Sequence, residues 1–551
     1  MIGKSFVSRA MYIALATALA VLAGCSGPSS DGGGGGFNPP TGGGPTTPTG
    51  PSWTAGVFAP ASDFKDRCQV PRTGVDIEGN PFPDRSGSTT LENFWLRSWT
   101  NETYLWNDEV VDRDPRLFND RIEYFNLLRT TEVTPSGEDK DDFHFSQPTD
   151  EFLEQRTSAG SASYGVSFAA IASSPPRDFR VRYVDENTPA AEVVVSDKPN
   201  FVRGARILEV DGIDFINGDN VDGLNDALFP EEAGEVHTFL MRDPDGEERL
   251  VTLTAADLSR DPVNRVRIVD TPTGPVGYIL FNTFSPFASE LEIVEAVQQL
   301  SDANVTDLVL DLRYNGGGLL AVASQLSYMI AGPAFTSGRA FERLRFNDDA
   351  GDFNPVTGAR NDPIPFYSTG LGFTVANGFP LPDLRDVNRV YILSTEGTCS
   401  ASEAVINGLR GVDFEVILIG DTTCGKPFGF FPQDNCGETY FTIQFQGTND
   451  KGFGDFADGF VPMNSDFPFG VRIDGCQVED DLSGTLGDPS EKLFAAALGF
   501  RENGTCPAVP FATTSVASSR SANPDTDALS ISLREPVFEN NLDMRLPEGQ
   551  N

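Results

Sequence analysis

Thr398-Cys399-Ser400-Ala401-Ser402-Glu403 and, further along, Gly425-Lys426-Pro427 supply a serine and a lysine in settings that suit chemistry. A serine hydroxyl is a poor nucleophile at neutral pH and needs a base within hydrogen-bond reach. The chain holds only two histidines, His144 and His237, and neither lies beside a serine in a recognisable motif. A Ser-His-Asp arrangement is therefore not the expected design, and the base is expected to be a lysine. Lysine serves only when its pKa falls well below a reference of about 10.4. Burial in apolar surroundings does that by penalising the ammonium. Lys426 has such a setting, because Val416-Ile417-Leu418-Ile419 lead toward it and Phe428, Phe430 and Phe431 follow. With seven lysines against 33 arginines in the chain, a lysine in this context is not routine surface charge.

Ser400 lies where a strand is expected to end and a helix to begin. The helix dipole and the unpaired N–H groups of its first turn would face the hydroxyl, and those N–H groups suit the oxyanion of a tetrahedral intermediate. Taken alone, Ser400 reads more simply as an N-cap, with Glu403 completing a capping box.

Three patterns must position these residues. From Thr90 to about Phe152, Leu91, Phe94, Trp95, Trp99, Leu105 and Trp106 recur at helical spacing and predict a small helical region with one packing face. From Ser161 to Ala256 short strands take over, with Phe179–Val184, Arg206–Val210 and Val236–Arg242 as strands and one helix near Val221–Phe229. From Pro275 apolar strands alternate with helices: Val276–Phe281, a helix over Glu290–Leu300, Asp307–Leu312, a helix over Leu319–Ile330, Val390–Ser394, a helix over Ser400–Leu409, then Phe414–Ile419. That alternation predicts a helix-covered sheet. A polar insertion occupies Ser337–Asp386, and a closing helix is expected over Ser490–Leu498.

At 551 residues the chain is too long for one core, and about three or four domains are expected. A net charge of −40 excludes a nucleic-acid partner, since phosphate binding needs a basic surface; otherwise it describes a soluble, self-repelling exterior. Lys4 and Arg9 precede the apolar run Met11–Leu22, which is short for a membrane span and reads as a targeting segment. Ser26–Ser52, with five consecutive glycines, reads as a flexible tether, and Ala508–Asn551 as a weakly ordered tail. Apart from Cys25 there are six cysteines, Cys68, Cys399, Cys424, Cys436, Cys476 and Cys506. An even number in an exported chain suggests disulfides. The spacing leaves the pairing open, with Cys424 and Cys436 near enough to close a short loop. No C-x-x-C pair occurs and histidines are few, so no metal site is expected.

Three segments in order, Leu310-Asp311-Leu312-Arg313-Tyr314-Asn315-Gly316-Gly317-Gly318, Cys399–Glu403 and Gly420-Asp421 through Gly425-Lys426, resemble the carboxyl-terminal processing (tail-specific) proteases of peptidase family S41. The resemblance covers about Thr90 to Phe500. It implies a multidomain α/β (α+β) fold with an N-terminal helical region (59–158), a PDZ-like domain (159–258) and an α/β protease core of the ClpP/crotonase-like kind (259–507). It also implies Ser400 as nucleophile, Lys426 as general base, oxyanion donors from Ala401 and from Gly316 or Gly317, polypeptide substrates and no cofactor. Many members carry a glutamine four residues after the lysine to orient it; here that position is Phe430, and the nearest glutamine is Gln433. The series over 161–256 resembles a bacterial PDZ domain, in which Tyr164-Gly165-Val166-Ser167-Phe168 would hold a peptide carboxylate in a backbone nest. Leu22-Ala23-Gly24-Cys25 resembles a bacterial lipobox, which implies cleavage after Gly24, lipidation of Cys25, a tether over 25–58, a membrane partner and a site at the cell envelope, on the outer membrane facing the periplasm. Two rival functions stay open: an inactive PDZ-containing scaffold lipoprotein, and an acyl hydrolase on the same scaffold, although Gly-x-Ser-x-Gly is absent.

Overall fold

In the computed structural model of the chain, the described residues are 50–156, 160–195, 197–259, 261–507 and 542–543. The targeting segment, Cys25, most of the tether and nearly all of the tail lie outside the described residues.

The N-terminal part is built on α1 (Thr89–Thr103), capped by Ser88, whose side chain accepts the Leu91 N–H. Phe94, Trp95 and Trp99 form its buried stripe, and Trp95 stacks on Trp99 with ring centroids 5.1 Å apart. The helical region is shorter than expected. Leu105 and Trp106 fall beyond α1, and after them only Arg121–Phe125 and Thr149–Arg156 are α-helical. Asp114-Pro115, Asn119-Asp120 and Pro135-Ser136-Gly137 lie in this stretch. They favour turns because proline lacks a donor and Asp or Asn side chains bond nearby amides.

Next comes an antiparallel sheet of β1 (Val166–Ala172), β2 (Asp178–Val184), β3 (Arg206–Val210), β4 (Val236–Arg242) and β5 (Glu248–Thr254), with α2 (Val221–Leu228) between β3 and β4. The spatial order is β5-β4-β3-β2-β1, which leaves β1 at an edge. Burial alternates strictly along β2 and β5, as the period of two in a strand requires when one face is wet. Phe179, Val181, Ile207, Val210 and Phe239 meet Leu224 and Leu228 of α2 beneath the sheet. Ser161–Ser163 pairs antiparallel with Ala256–Leu258, so the chain enters and leaves this unit side by side.

The remaining core is one six-stranded sheet of β6 (Val263–Val269), β7 (Val276–Phe281), β8 (Asp307–Asp311), β9 (Arg389–Ser394), β10 (Glu415–Gly420) and β11 (Gly475–Gln477), in that spatial order. Only β6 is antiparallel. Helices α3 (Ala288–Asp302), α4 (Leu320–Thr336) and α5 (Ala401–Gly411) make the crossovers. They pack on Ile279, Phe281, Leu308, Leu310, Val390, Ile392 and Leu418. The opposite face, with Tyr278, Leu280, Val309, Leu393, Ile417 and Ile419, is covered by Leu493, Phe494 and Ala497 of α6 (Lys492–Asn503). Strands covered on both faces read as unbroken apolar runs, which is why the sequence located them. In an open parallel sheet, functional groups gather at the carboxyl ends of the strands. The glycine run follows β8, Ser400 follows β9 and Lys426 follows β10.

Among the described residues, three disulfides fasten these parts: Cys68–Cys436, Cys399–Cys424 and Cys476–Cys506. Cys424 and Cys436, close in sequence, are not partners. The turn after β10 brings Cys424 to Cys399, and Cys436 reaches back to the N-terminal part. Gly318–Leu319 pairs in parallel with Leu542–Asp543, which sets a short extended piece of the chain's own tail beside the glycine run. Among the described residues, no helix is long and apolar enough to cross a membrane.

Candidate active site

Ser400 is the N-cap of α5, with φ 59° and ψ −112°. A positive φ on a residue with a Cβ costs of order 1–3 kcal/mol and persists only when the surroundings impose it. Here they do. The Cys399 N–H and the Ser402 hydroxyl both donate to the Asn315 carbonyl, at 3.1 and 2.9 Å. The Thr398 hydroxyl donates to the Leu312 carbonyl at 2.8 Å, and Cys399 is tied to Cys424. The expected capping box is formed on one side: Glu403 Oε2 accepts the Ser400 N–H at 3.0 Å. On the other side Ser400 Oγ faces the amide of Glu403 without a full hydrogen bond, buried and without a hydrogen-bond partner among the described residues.

Glu403 is the hub of the site. Its buried carboxylate accepts the Thr423 hydroxyl, the Gly425 N–H at 2.9 Å, the Ser400 N–H, and the Lys426 N–H at 2.8 Å. The last two donors meet at the same oxygen, so the amide nitrogens of Ser400 and Lys426 lie within about 6 Å of each other. Burial pushes the Glu403 carboxyl up, and these four donors pull it back.

Lys426 is 1 % exposed. Its ammonium nitrogen lies 4.3 Å from the ring centroid of Phe143 and 5.0 Å from that of Phe430. Burial pushes its pKa down to about 7, against the opposing charges of Asp141 and Glu403. Gly425 sets up this placement: its φ is +87°, and a Cβ there would meet the Ala457 carbonyl at 2.2 Å. Phe430, at the position where the resemblance led to an expected glutamine, offers a ring face to the lysine. The Gln433 side chain turns to the Asp434 carbonyl at 3.3 Å.

The glycine run is held by a buried ion cluster. Arg313 donates to Asp311 at 2.9 Å and to both oxygens of Glu491 at 2.8 and 3.0 Å. Tyr278 donates to Asp311 at 2.7 Å. Of the two glycines expected to serve an oxyanion, Gly317 is already committed, donating its N–H to Asn315 Oδ1 at 2.9 Å. The unengaged donors among the described residues are Gly316 N–H and Ala401 N–H at the start of α5. Asn315 thus locks the run and the serine turn together, a role that its place in the motif did not disclose.

The segment expected to hold a peptide carboxylate is arranged differently from its sequence reading. Tyr164 and Phe168 are core residues, and the Tyr164 hydroxyl donates to the Ala227 carbonyl of α2 at 3.1 Å. They therefore do not form an open pocket. Gly165 has the positive φ expected of it, but its N–H goes to Ser163 Oγ at 3.1 Å. Val166 and Ser167 begin edge strand β1.

Two clusters have the atom types of metal sites. In Cys399, Glu403 and Cys424 the sulfurs are bonded to each other and offer no thiolate. Asp243, Asp245 and Glu247 converge on the Lys198 ammonium at 3.3, 2.7 and 2.8 Å. Neither donor set suits an ion.

Residues 275–434, from the first parallel strand through the glycine run, Ser400 and Lys426, match the model of peptidase family S41. That segment is thus similar to an S41 peptidase domain. The chain is 29 % identical over 252 residues to carboxyl-terminal-processing peptidase 2, chloroplastic, of Arabidopsis thaliana, covering 44 % of this chain and 43 % of that protein. It is also 29 % identical over 225 residues to the carboxyl-terminal-processing protease of a Picosynechococcus strain, covering 40 % and 45 %. The chain thus spans less than half the length of these curated relatives. A crystal structure assigned to an S41 protease of Bacteroides fragilis superposes with a TM-score of 0.55 at 22 % identity, over 75 % of this chain and 97 % of that one. At that identity the likeness concerns the fold.

Proposed function

We propose that this chain is a serine endopeptidase in which Ser400 is the nucleophile and Lys426 the general base. The observation that carries this is the meeting of both backbone amides at one oxygen of Glu403, with Lys426 buried at a pKa of about 7. Neutral Lys426 Nζ takes the proton of Ser400 Oγ as Oγ bonds to the scissile carbonyl carbon. The resulting oxyanion accepts from Gly316 and Ala401 N–H. Collapse breaks the C–N bond, and the leaving amine takes the proton back from Lys426. Water then opens the acyl-enzyme by the same steps, with Lys426 again as base.

The pH dependence tests the base. Only neutral lysine can accept the proton, so kcat/KM is expected to rise about tenfold per pH unit below pH 7 and to level off above it. An acid limb set near pH 4 or absent would exclude Lys426 as the base. The same shift has a stability sign. The folded pKa lies below the unfolded one, so the unfolded chain binds the extra proton between about pH 7 and 10.5. Across that window stability rises with pH, and the cost of burying Lys426 is full below it.

In this proposal the substrate is a polypeptide bound in extended form. Gly318–Leu319 already pairs with an extended segment, and edge strand β1 offers a second row of backbone groups in a PDZ-like unit. A terminal carboxylate would replace Ser163 Oγ on the Gly165 N–H. A charge-assisted hydrogen bond is worth roughly 1.5–3 kcal/mol, so amidating a peptide's C-terminus is expected to weaken binding about 10- to 100-fold. Equal binding of free and amidated peptides would remove tail recognition and leave the dyad untouched. Acylation at Cys25 would place the enzyme at a membrane surface, and mass analysis of the mature N-terminus tests that.

A further inference from the structure

Resting on the assignment of Lys426 as base, we propose that Asp141 and Phe143, contributed by the N-terminal part of the chain, are positioning residues for this lysine. Asp141 is 1 % exposed. One of its oxygens accepts the Tyr104 hydroxyl at 2.6 Å, and the other accepts the Phe143 N–H at 3.0 Å. That second bond fixes the turn which carries the Phe143 ring to 4.3 Å from the Lys426 ammonium, with the Phe430 ring on the same ammonium at 5.0 Å. The wall continues outward through Trp106, edge-on to Phe428 at 4.8 Å and itself covered by Lys140.

Asp141 and Glu403 act on Lys426. Glu403 is saturated by four donors, three of them backbone amides. Arg129 meets Asp141 at its backbone carbonyl. His144, 4.0 Å from the Asp141 carboxylate, is kept neutral by burial, with its nitrogens on the Phe125 carbonyl and the Thr442 hydroxyl. Asp141 is therefore not neutralised by its neighbouring histidine, and its charge works against the desolvation of Lys426. Too little of it would leave a lysine too weak to accept a proton, and too much would keep it protonated at neutral pH.

The test uses the full chain in two settings. In a Ser400→Ala background, which removes any turnover, the ammonium pKa of Lys426 is read by NMR on lysine-labelled protein, its signal assigned by loss in Lys426→Met. Asp141→Asn is expected to lower that pKa by about one unit. Phe143→Leu, which keeps the carboxylate, is expected to lower it by about half a unit. With Ser400 restored, the acid limb of kcat/KM should move down by the same amounts while the plateau falls about 10- to 100-fold through misplacement. Asp141→Glu should bring the limb back toward its original position. A structural role alone would cost stability and rate without moving the titration. A Lys426 pKa unchanged in both variants would overturn the proposal, and if Asp141→Asn does not fold, Phe143→Leu decides it. Because the NMR arm needs no activity, it remains decisive even if Lys426→Met still cleaves peptides, an outcome that would refute the base assignment instead.

Discussion

Replacing Ser400 by alanine is expected to reduce cleavage of an unfolded polypeptide by about 10³-fold or more, and Lys426→Ala by a similar factor. The double variant should be little worse than either single one, because the two side chains act as one unit and the second loss removes nothing that still functions. Ser400 Oγ has no hydrogen-bond partner among the described residues to compete for it. Burial pushes the Lys426 pKa down to about 7, where a neutral amine is available near neutrality. Both variants should fold, since the Glu403 bonds run to backbone amides that alanine keeps. Near-normal turnover by Lys426→Ala would falsify the lysine-base mechanism. Full activity in Ser400→Ala would exclude acyl-enzyme chemistry at this serine.

The second large effect is on stability, at Arg313. Arg313→Leu leaves Asp311 and Glu491, both buried, facing each other without their cation. Removing one partner from a buried ion pair typically costs about 3–5 kcal/mol, because the charges left behind have no water to turn to. Glu491 also caps α6 by accepting the Phe494 N–H at 3.0 Å, so the loss reaches the helix that closes one face of the sheet. Arg313→Lys should recover only part of this, since an ammonium cannot reproduce the two parallel bonds to Glu491. Urea unfolding of the full chain reads the difference. A midpoint unchanged in Arg313→Leu would mean that the cluster is worth little.

The four central strands of the large sheet were legible because their middles are covered on both faces and are apolar, whereas the edge strand Val263–Val269, polar and partly exposed, gave no such run. Val276–Phe281 and, after the exposed Glu415, the rest of Glu415–Gly420 are buried throughout. Ser400 and Lys426 were legible by type and place: a serine at a helix mouth, and one of few lysines amid phenylalanines. Nearly everything that tunes them was not. Asp141 and Phe143 sit in a loop far from Lys426 in the chain, and no local period marks a residue that acts across a fold. Gly316 and Gly317 are indistinguishable in sequence, and only the Asn315 side chain decides which amide is spent. Tyr164 and Phe168 flank the glycine expected to serve a peptide carboxylate, yet both side chains fill the core beneath the sheet, which aromatic residues do as readily as they line a groove. The helical reading of 90–152 extended too far because aromatic residues at helical spacing continue past Thr103 into loops.

The bridge between Cys68 and Cys436 also bears on biogenesis. The two sulfurs are separated by 368 positions, and the stretch that walls the lysine pocket lies between them. A chain made from its N-terminus presents Cys68 long before Cys436 arrives. The wall around Lys426 therefore cannot be fastened until the polypeptide has been made as far as Cys436, which makes this pocket one of the last parts of the fold to be locked.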